Sequence, residues 1–317
     1  MVLLWANAAL GQTPPTFVLA WGSQGSGDGQ FGRAEFEMGP TGIAVGPNGK
    51  IYVADVFNHR IQRFSSDGTF ELAWGREGTG DGEFWLPQYV AVDAQGDVYV
   101  TDYRWVGYAI PLIQKFTADG TFLLKWGGYG HGPGMFIHLT GITVGPDGYI
   151  YVLDSDRMSP VQKFTTSGEF VATWGSQGTG DGQFDYPRAI AVGPDNSVYI
   201  ADITLVRVQK FTSTGEFLLK WDSVGGDPGQ LRWPMALAVS GCGHVYVGDG
   251  LRYDMQEFTA GGEFVVSWGS VDPLGAAVDA AQYIYVIDGA LTRIVKYAPS
   301  TVPARTTTWG RLKNLYR

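Results

Sequence analysis

The chain has 317 residues, of which only 17% are charged against about 25% in an ordinary globular protein. Gly (46), Trp (11), Tyr (16) and Phe (17) are abundant, which suits many short strands and tight turns, and 44% hydrophobic residues exclude a disordered chain. The formal charge of -9 opposes non-specific attraction to phosphate backbones or anionic membranes, no apolar run approaches the roughly 20 residues that cross a bilayer, and a single cysteine, Cys242, excludes an intrachain disulfide.

Residues 2–10 form a short apolar stretch, and Ala6-Asn7-Ala8 has the small-x-small form of a signal-peptidase site, although no Lys or Arg precedes it. Residues 1–16 are therefore expected to be a truncated signal peptide and linker, the other reading being a plain N-terminal extension. Export from a bacterium is the expectation; a cytoplasmic home stays open, because a chain with one cysteine fits either compartment.

From residue 17 to residue 298 the chain repeats itself with a period near 47 residues. The clearest element is a β-branched and aromatic run ending in aspartate: IYVAD, VYVTD, IYVLD, VYIAD, VYVGD and IYVID. It closes on Asp55, Asp102, Asp154, Asp202, Asp249 and Asp288, spaced by 47, 52, 48, 47 and 39 residues. Each copy stands in a frame of four expected strands. A run such as GIAV comes first, then a GPNG, GPDG or DAQG hairpin turn, then the aspartate run. A third run such as IQRF follows, then a turn such as SDGT, and a fourth run that ends at Trp74, Trp126, Trp174, Trp221 or Trp268.

The sixth copy lacks its fourth run, whereas FVLAWG at residues 17–22 has that pattern and stands alone before the first copy. The expected fold is all-β: a six-bladed β-propeller of four-stranded antiparallel blades, the ring closed by the N-terminal strand in the last blade. Residues 299–317 form a separate tail with four basic residues and no acid, expected to be either disordered or a docking or sorting signal.

The consensus PxGIAVxPxGxIYVADxxNxRIQxFxxxGxFxxxWGxxGxGxGxF resembles the NHL repeat, and residues 55–64 (DVFNHRIQRF) match its core closely. The resemblance spans residues 17–298 and implies the propeller fold. It leaves function open: propellers of this type serve as ligand-binding sensor domains, as RNA-binding modules of tripartite-motif proteins, and as lyases.

In such a ring two sets of links share one face, here called the top: those from a fourth strand to the next first strand, and those from second to third strands. The GPDG-type and SDGT-type hairpins lie on the bottom. Links such as GSQGSGDGQF and GREGTGDGEF carry Asp28, Asp81 and Asp181, but lack the alternating acids of a calcium loop and the helix of a phosphate cradle, so turn chemistry and packing by their phenylalanine are expected. Arginines follow most of the repeat aspartates. Arg60 and Arg293 are read with the six aspartates as structural, and Arg157, Arg207 and Arg252 as a basic rim for a ligand, with forks holding strands or blades as the competing reading. Blade two differs, having Arg104 and the longer link YRWVGYAIPL, whose Tyr103, Trp105 and Tyr108 are costly to leave wet and mark a contact site. Thr41, Gln88, Thr140, Arg188 and Met235 are expected around the channel mouth, beside His138.

The candidate ligand-binding residues are thus Tyr103, Arg104, Trp105, Tyr108, Gln88, His138, Arg188, Arg157, Arg207 and Arg252. No catalytic residue, metal or cofactor is expected. The chain has four histidines, His59, His131, His138 and His244, in places that do not converge, and the channel mouth offers no acids for calcium. The expected function is a non-catalytic module that binds a peptide, saccharide or protein on the top face. The alternatives are a metal-dependent lyase or lactonase-type propeller and an RNA-binding NHL module, the last supported by the arginines alone and opposed by the acidic balance.

Overall fold

A computed structural model describes residues 13–33, 39–155 and 160–300. The expected leader up to residue 12, Arg157, and the basic tail from residue 301 onward lie outside the described residues.

Each repeat folds into one four-stranded antiparallel sheet paired in chain order. Blade one is Ile43–Val45, Ile51–Asp55, Arg60–Phe64 and Phe70–Trp74. Blade two is Val90–Val92, Val98–Trp105, Ala109–Phe116 and Phe122–Gly127; blade three is Leu139–Val144, Ile150–Asp154, Val161–Phe164 and Phe170–Trp174. Blade four comprises Pro187–Val192, Val198–Asp202, Arg207–Phe211 and Phe217–Trp221, and blade five Pro234–Val239, Val245–Asp249, Asp254–Phe258 and Phe264–Trp268. In blade six, Pro273–Val278, Ile284–Asp288 and Arg293–Ala298 are followed by Thr16–Trp21 from the other end of the chain, which pairs antiparallel with Arg293–Ala298. The described residues include one short 3-10 turn, Val56–Asn58.

The second strands explain why the aspartate run lacks an alternating pattern. In all six blades the five residues of that run are buried, because neighbouring blades cover both faces of the sheet. The outer strands FLLKWG of blade two and FLLKW of blade four alternate instead. The apolar core is accordingly divided into six clusters, each dominated by two adjacent blades.

Aromatic side chains join those blades. Trp74 lies 6.0 Å from Phe116 of the next blade, and Trp126 lies 5.9 Å from Phe164. The link phenylalanines Phe31, Phe84, Phe136 and Phe184 are buried and pack 5.5–5.9 Å from the third-strand phenylalanine of the blade they enter. Burying one such ring contributes about 2–3 kcal/mol. The bottom turns make room for the tryptophans. Gly215 has φ +89°, and a Cβ there would stand 2.5 Å from Trp174 Cγ, so both the backbone and the packing demand glycine.

A row of bottom-side cations completes the joint between blades. Arg63, Lys115, Lys163, Lys210 and Lys296, at one position of the third strand, donate to Ala118, Thr166, Ser213, Ala260 and Ser66, each a carbonyl in the turn after the third strand of the next blade. Blade five reverses the polarity. Glu257 takes the cation's place, accepts a hydrogen bond from the Ser300 hydroxyl at 2.9 Å, and meets His244 Nδ1. In blade six the third strand runs on into Pro299 and Ser300.

Candidate functional site

The repeat aspartates are built into the ring. Each accepts hydrogen bonds from backbone N–H groups just beyond the link phenylalanine or its equivalent. Asp55 accepts from Gly32, Asp102 from Trp85 and Leu86, and Asp154 from Ile137 and His138. Asp202 accepts from Asp185 and Tyr186, Asp249 from Arg232 and Trp233, and Asp288 from Asp272. A second anchor went unnoticed in the sequence. Gln62, Gln114, Gln162, Gln209 and Gln256 each accept from the link glycine N–H and donate to a link carbonyl two residues before the first aspartate donor or nearby. The signal was present: a glutamine recurring in an otherwise buried apolar run must find partners for its amide.

The arginines divide. Arg60 and Arg293 donate through Nε to Asp55 and Asp288 at 2.8 and 3.0 Å, which fits the structural reading. Arg207 does not belong to a ligand rim: it is 3% exposed and donates to the Thr179, Gly180 and Gln183 carbonyls at 2.8–2.9 Å. Arg252 is likewise spent, on the Asp254 carboxylate and the Asp227 carbonyl. The arginine fork holds the links for the same reason in each case, since five N–H donors suit a turn crowded with carbonyls. Arg157 lies outside the described residues. In blade two Leu112 faces Asp102 across the strands where Arg60 faces Asp55, so Asp102 is buried without a guanidinium beside it. Burial pushes its carboxyl up to about 7, against the pull of its N–H donors and Gln114.

The long link of blade two is a regular hairpin that extends the sheet through Trp105 and restarts it at Ala109. Tyr103 is not part of its exposed surface. Its ring is buried and its hydroxyl accepts from Leu139 N–H of blade three, because the strand is still inside the ring at that point. Arg104 is exposed, and Trp105 and Tyr108 are 48% and 58% exposed. Trp105 stacks on Trp85 at 6.0 Å, and Tyr108 meets Tyr129 edge-on at 6.4 Å. Aromatic contacts thus hold the hairpin against its neighbours while part of each ring stays wet.

At the channel mouth, Thr41, Thr140, Arg188 and Met235 line a central cavity of about 250 Å³. Gln88 does not: Tyr89 takes that role, and the Gln88 carbonyl accepts from the Thr41 hydroxyl. Tyr89 occupies the position held by Gly42, Gly141, Ala189, Ala236 and Gly275 in the other blades, so its ring alone projects at that level. Arg188 reaches across blade three, donates to the Tyr89 hydroxyl and lies over its ring, 5.3 Å from the centroid. Burial raises the Tyr89 phenol above its ordinary value, opposed by the Arg188 charge. His138 is exposed at the rim, with Nδ1 2.7 Å from the Ser155 hydroxyl and 3.5 Å from that of Tyr186. Desolvation depresses its imidazole; Asp154 opposes that shift and Arg188 adds to it. Among the described residues no three His, Cys, Asp or Glu side chains are grouped to hold a metal.

These features define a six-bladed β-propeller whose top face carries an aromatic hairpin and a channel mouth lined by Arg188. Residues 38–64 match the NHL repeat family model, and the same four-stranded frame recurs around the ring. The chain is similar to "Protein brain tumor" of Drosophila melanogaster, with 34% identity over 132 residues, 41% of this chain and 12% of that protein. It is also similar to peptidyl-alpha-hydroxyglycine alpha-amidating lyase 1 of the same organism, with 33% identity over 103 residues, 31% of this chain and 18% of that one. The chain thus spans less than a fifth of either relative. Among solved structures, a Xanthomonas campestris gluconolactonase superposes with a TM-score of 0.63 at 15% identity, covering 95% of this chain and all of the other, which shows the shared fold alone.

Proposed function

We propose that the protein is a non-catalytic binding module whose top face takes a peptide, saccharide or protein partner. The observation that supports this reading is the distribution of apolar side chains. Among the described residues, ten of the sixteen exposed large hydrophobics stand in top links, including Trp105, Tyr108, Trp233 and Tyr253, six on outer strands, and none in a bottom hairpin. Leaving them wet has a steady cost, and a face enriched in Trp and Tyr is the composition of binding hot spots. The relative named as a lyase favours an enzymatic reading, but the metal ligands that reading needs are not grouped among the described residues.

The test probes peptide and glycan arrays with labelled protein. Spots bound by the wild type should disappear with Trp105→Ala/Tyr108→Ala and persist with Asn48→Ala, in a bottom turn. Full retention by the double variant would refute a top-face site.

A further inference from the structure

We propose that the channel mouth is a carboxylate site, in which the Arg188 guanidinium and the Tyr89 hydroxyl hold one carboxylate of an organic ligand. The proposal rests on the top-face reading and names the chemistry that the face selects.

Charge carries the argument first. Among the described residues that line this cavity, Arg188 is the only one with a charged side chain; the rest are Gly, Ala, Val, Ile, Leu, Met, Thr and Tyr. No carboxylate among the described residues pairs with Arg188, whereas Arg60, Arg63, Arg76, Arg252 and Arg293 each have one. A half-buried cation between apolar walls attracts an anion more strongly than it would in bulk water, because little solvent screens it.

Geometry then selects the kind of anion. One edge of the guanidinium, through Nη1, is fixed on Tyr89, which leaves the Nε and Nη2 edge as a planar two-donor fork. Tyr89 accepts that bond with its oxygen and keeps its own hydrogen, for which no acceptor occurs among the described residues. Three donors on one side of the channel with a net charge of +1 match a carboxylate, with one charge and two coplanar oxygens; a phosphate dianion would stay half neutralised. The Thr41 and Thr140 hydroxyls do not compete, because they donate to the Gln88 and Pro187 carbonyls and brace adjacent blades. The cavity of about 250 Å³ leaves space behind the carboxylate for a small organic body. That body is either a free acid or the last residue of a peptide.

Calorimetry with four probes tests the site on the full chain: propionate, acetyl-tetraalanine with a free carboxyl terminus, the same peptide as its amide, and inorganic phosphate. A free acid should bind one to one and the amide should not. Arg188→Gln should weaken the acid about tenfold or more, and Tyr89→Phe several-fold, with the circular dichroism and melting temperature of both variants unchanged. Binding of propionate as tight as the peptide acid assigns a free acid, and binding of the peptide acid alone assigns a peptide terminus. The proposal is overturned if neither acid binds, if the amide binds as well as the acid, if Arg188→Gln binds normally, or if phosphate binds more tightly than both acids. Trp105→Ala/Tyr108→Ala separates the two readings: it should leave propionate binding intact, so loss of array binding with retained acid binding, or the reverse, shows which one fails.

Discussion

Blade five offers the sharpest test of how the ring is held. Glu257 is fully buried where the other blades carry a cation, and its partners are the Ser300 hydroxyl and His244 Nδ1, whose side chain is 34% exposed. The hydrogen bond to Glu257 raises the His244 imidazole above its ordinary value, with burial opposing. A histidine raised on folding contributes stability that is fully present below its unfolded value, about 6.5, and is lost as pH climbs through the folded one. Stripping one partner from a buried ion pair costs about 3–5 kcal/mol, and a side chain one-third exposed loses roughly half of that to solvent. His244→Ala should therefore destabilise the protein by about 2 kcal/mol at pH 5.5 and by clearly less at pH 8.5. Urea denaturation followed by tryptophan fluorescence at the two pH values measures the difference. Glu257→Gln should abolish the pH dependence while still accepting from Ser300. An equal loss from His244→Ala at both pH values would refute the assigned pair.

Three further outcomes are expected. Asp102, raised to about 7 by burial, binds its proton more tightly folded than unfolded, so its contribution to stability declines as pH rises from about 4 toward 7. Asp102→Asn, which keeps an acceptor for Trp85 and Leu86, should be more stable than the wild type at pH 8.5 by about 2 kcal/mol and lose that advantage by pH 4, as read by the same denaturation series. Arg207→Ala removes a buried side chain that ties down the Thr179, Gly180 and Gln183 carbonyls and should cost about 2 kcal/mol, while array binding of the surviving folded fraction is unchanged; a binding loss without a stability loss would return Arg207 to the ligand rim. Gly215→Ala should cost about 2–3 kcal/mol and alter the near-ultraviolet circular dichroism of Trp174, since its Cβ meets the indole and its φ is left-handed.

The blades were legible because six imperfect copies reinforce one another: a run such as IYVAD is ambiguous alone, but six of them before matching turns are not. Side-chain partners were less so. The spacing of Arg207 from Asp202 suggested an ion pair or a free rim, but its partners are carbonyls 24–28 residues earlier, which only the folded link brings near. Tyr103 and Trp105 look alike in a list of aromatics, and whether the ring has been left by that point depends on where the strand crosses the top of blade three. Tyr89 was visible as the one large residue in a column of Gly and Ala, a departure with meaning because the repeat itself supplies the standard.

Five of the links that lead into a blade are clasped close to their ends, by the strand-three glutamine on the residues before the buried Phe or Leu and by the repeat aspartate on the residues after it. The link is therefore an interchangeable cassette. Residues 22–31 and 175–184 already differ only in Ser26 against Thr179, so either could stand in the other's place with its glutamine and phenylalanine contacts kept, and a change written into one link leaves the fold of the other five blades alone.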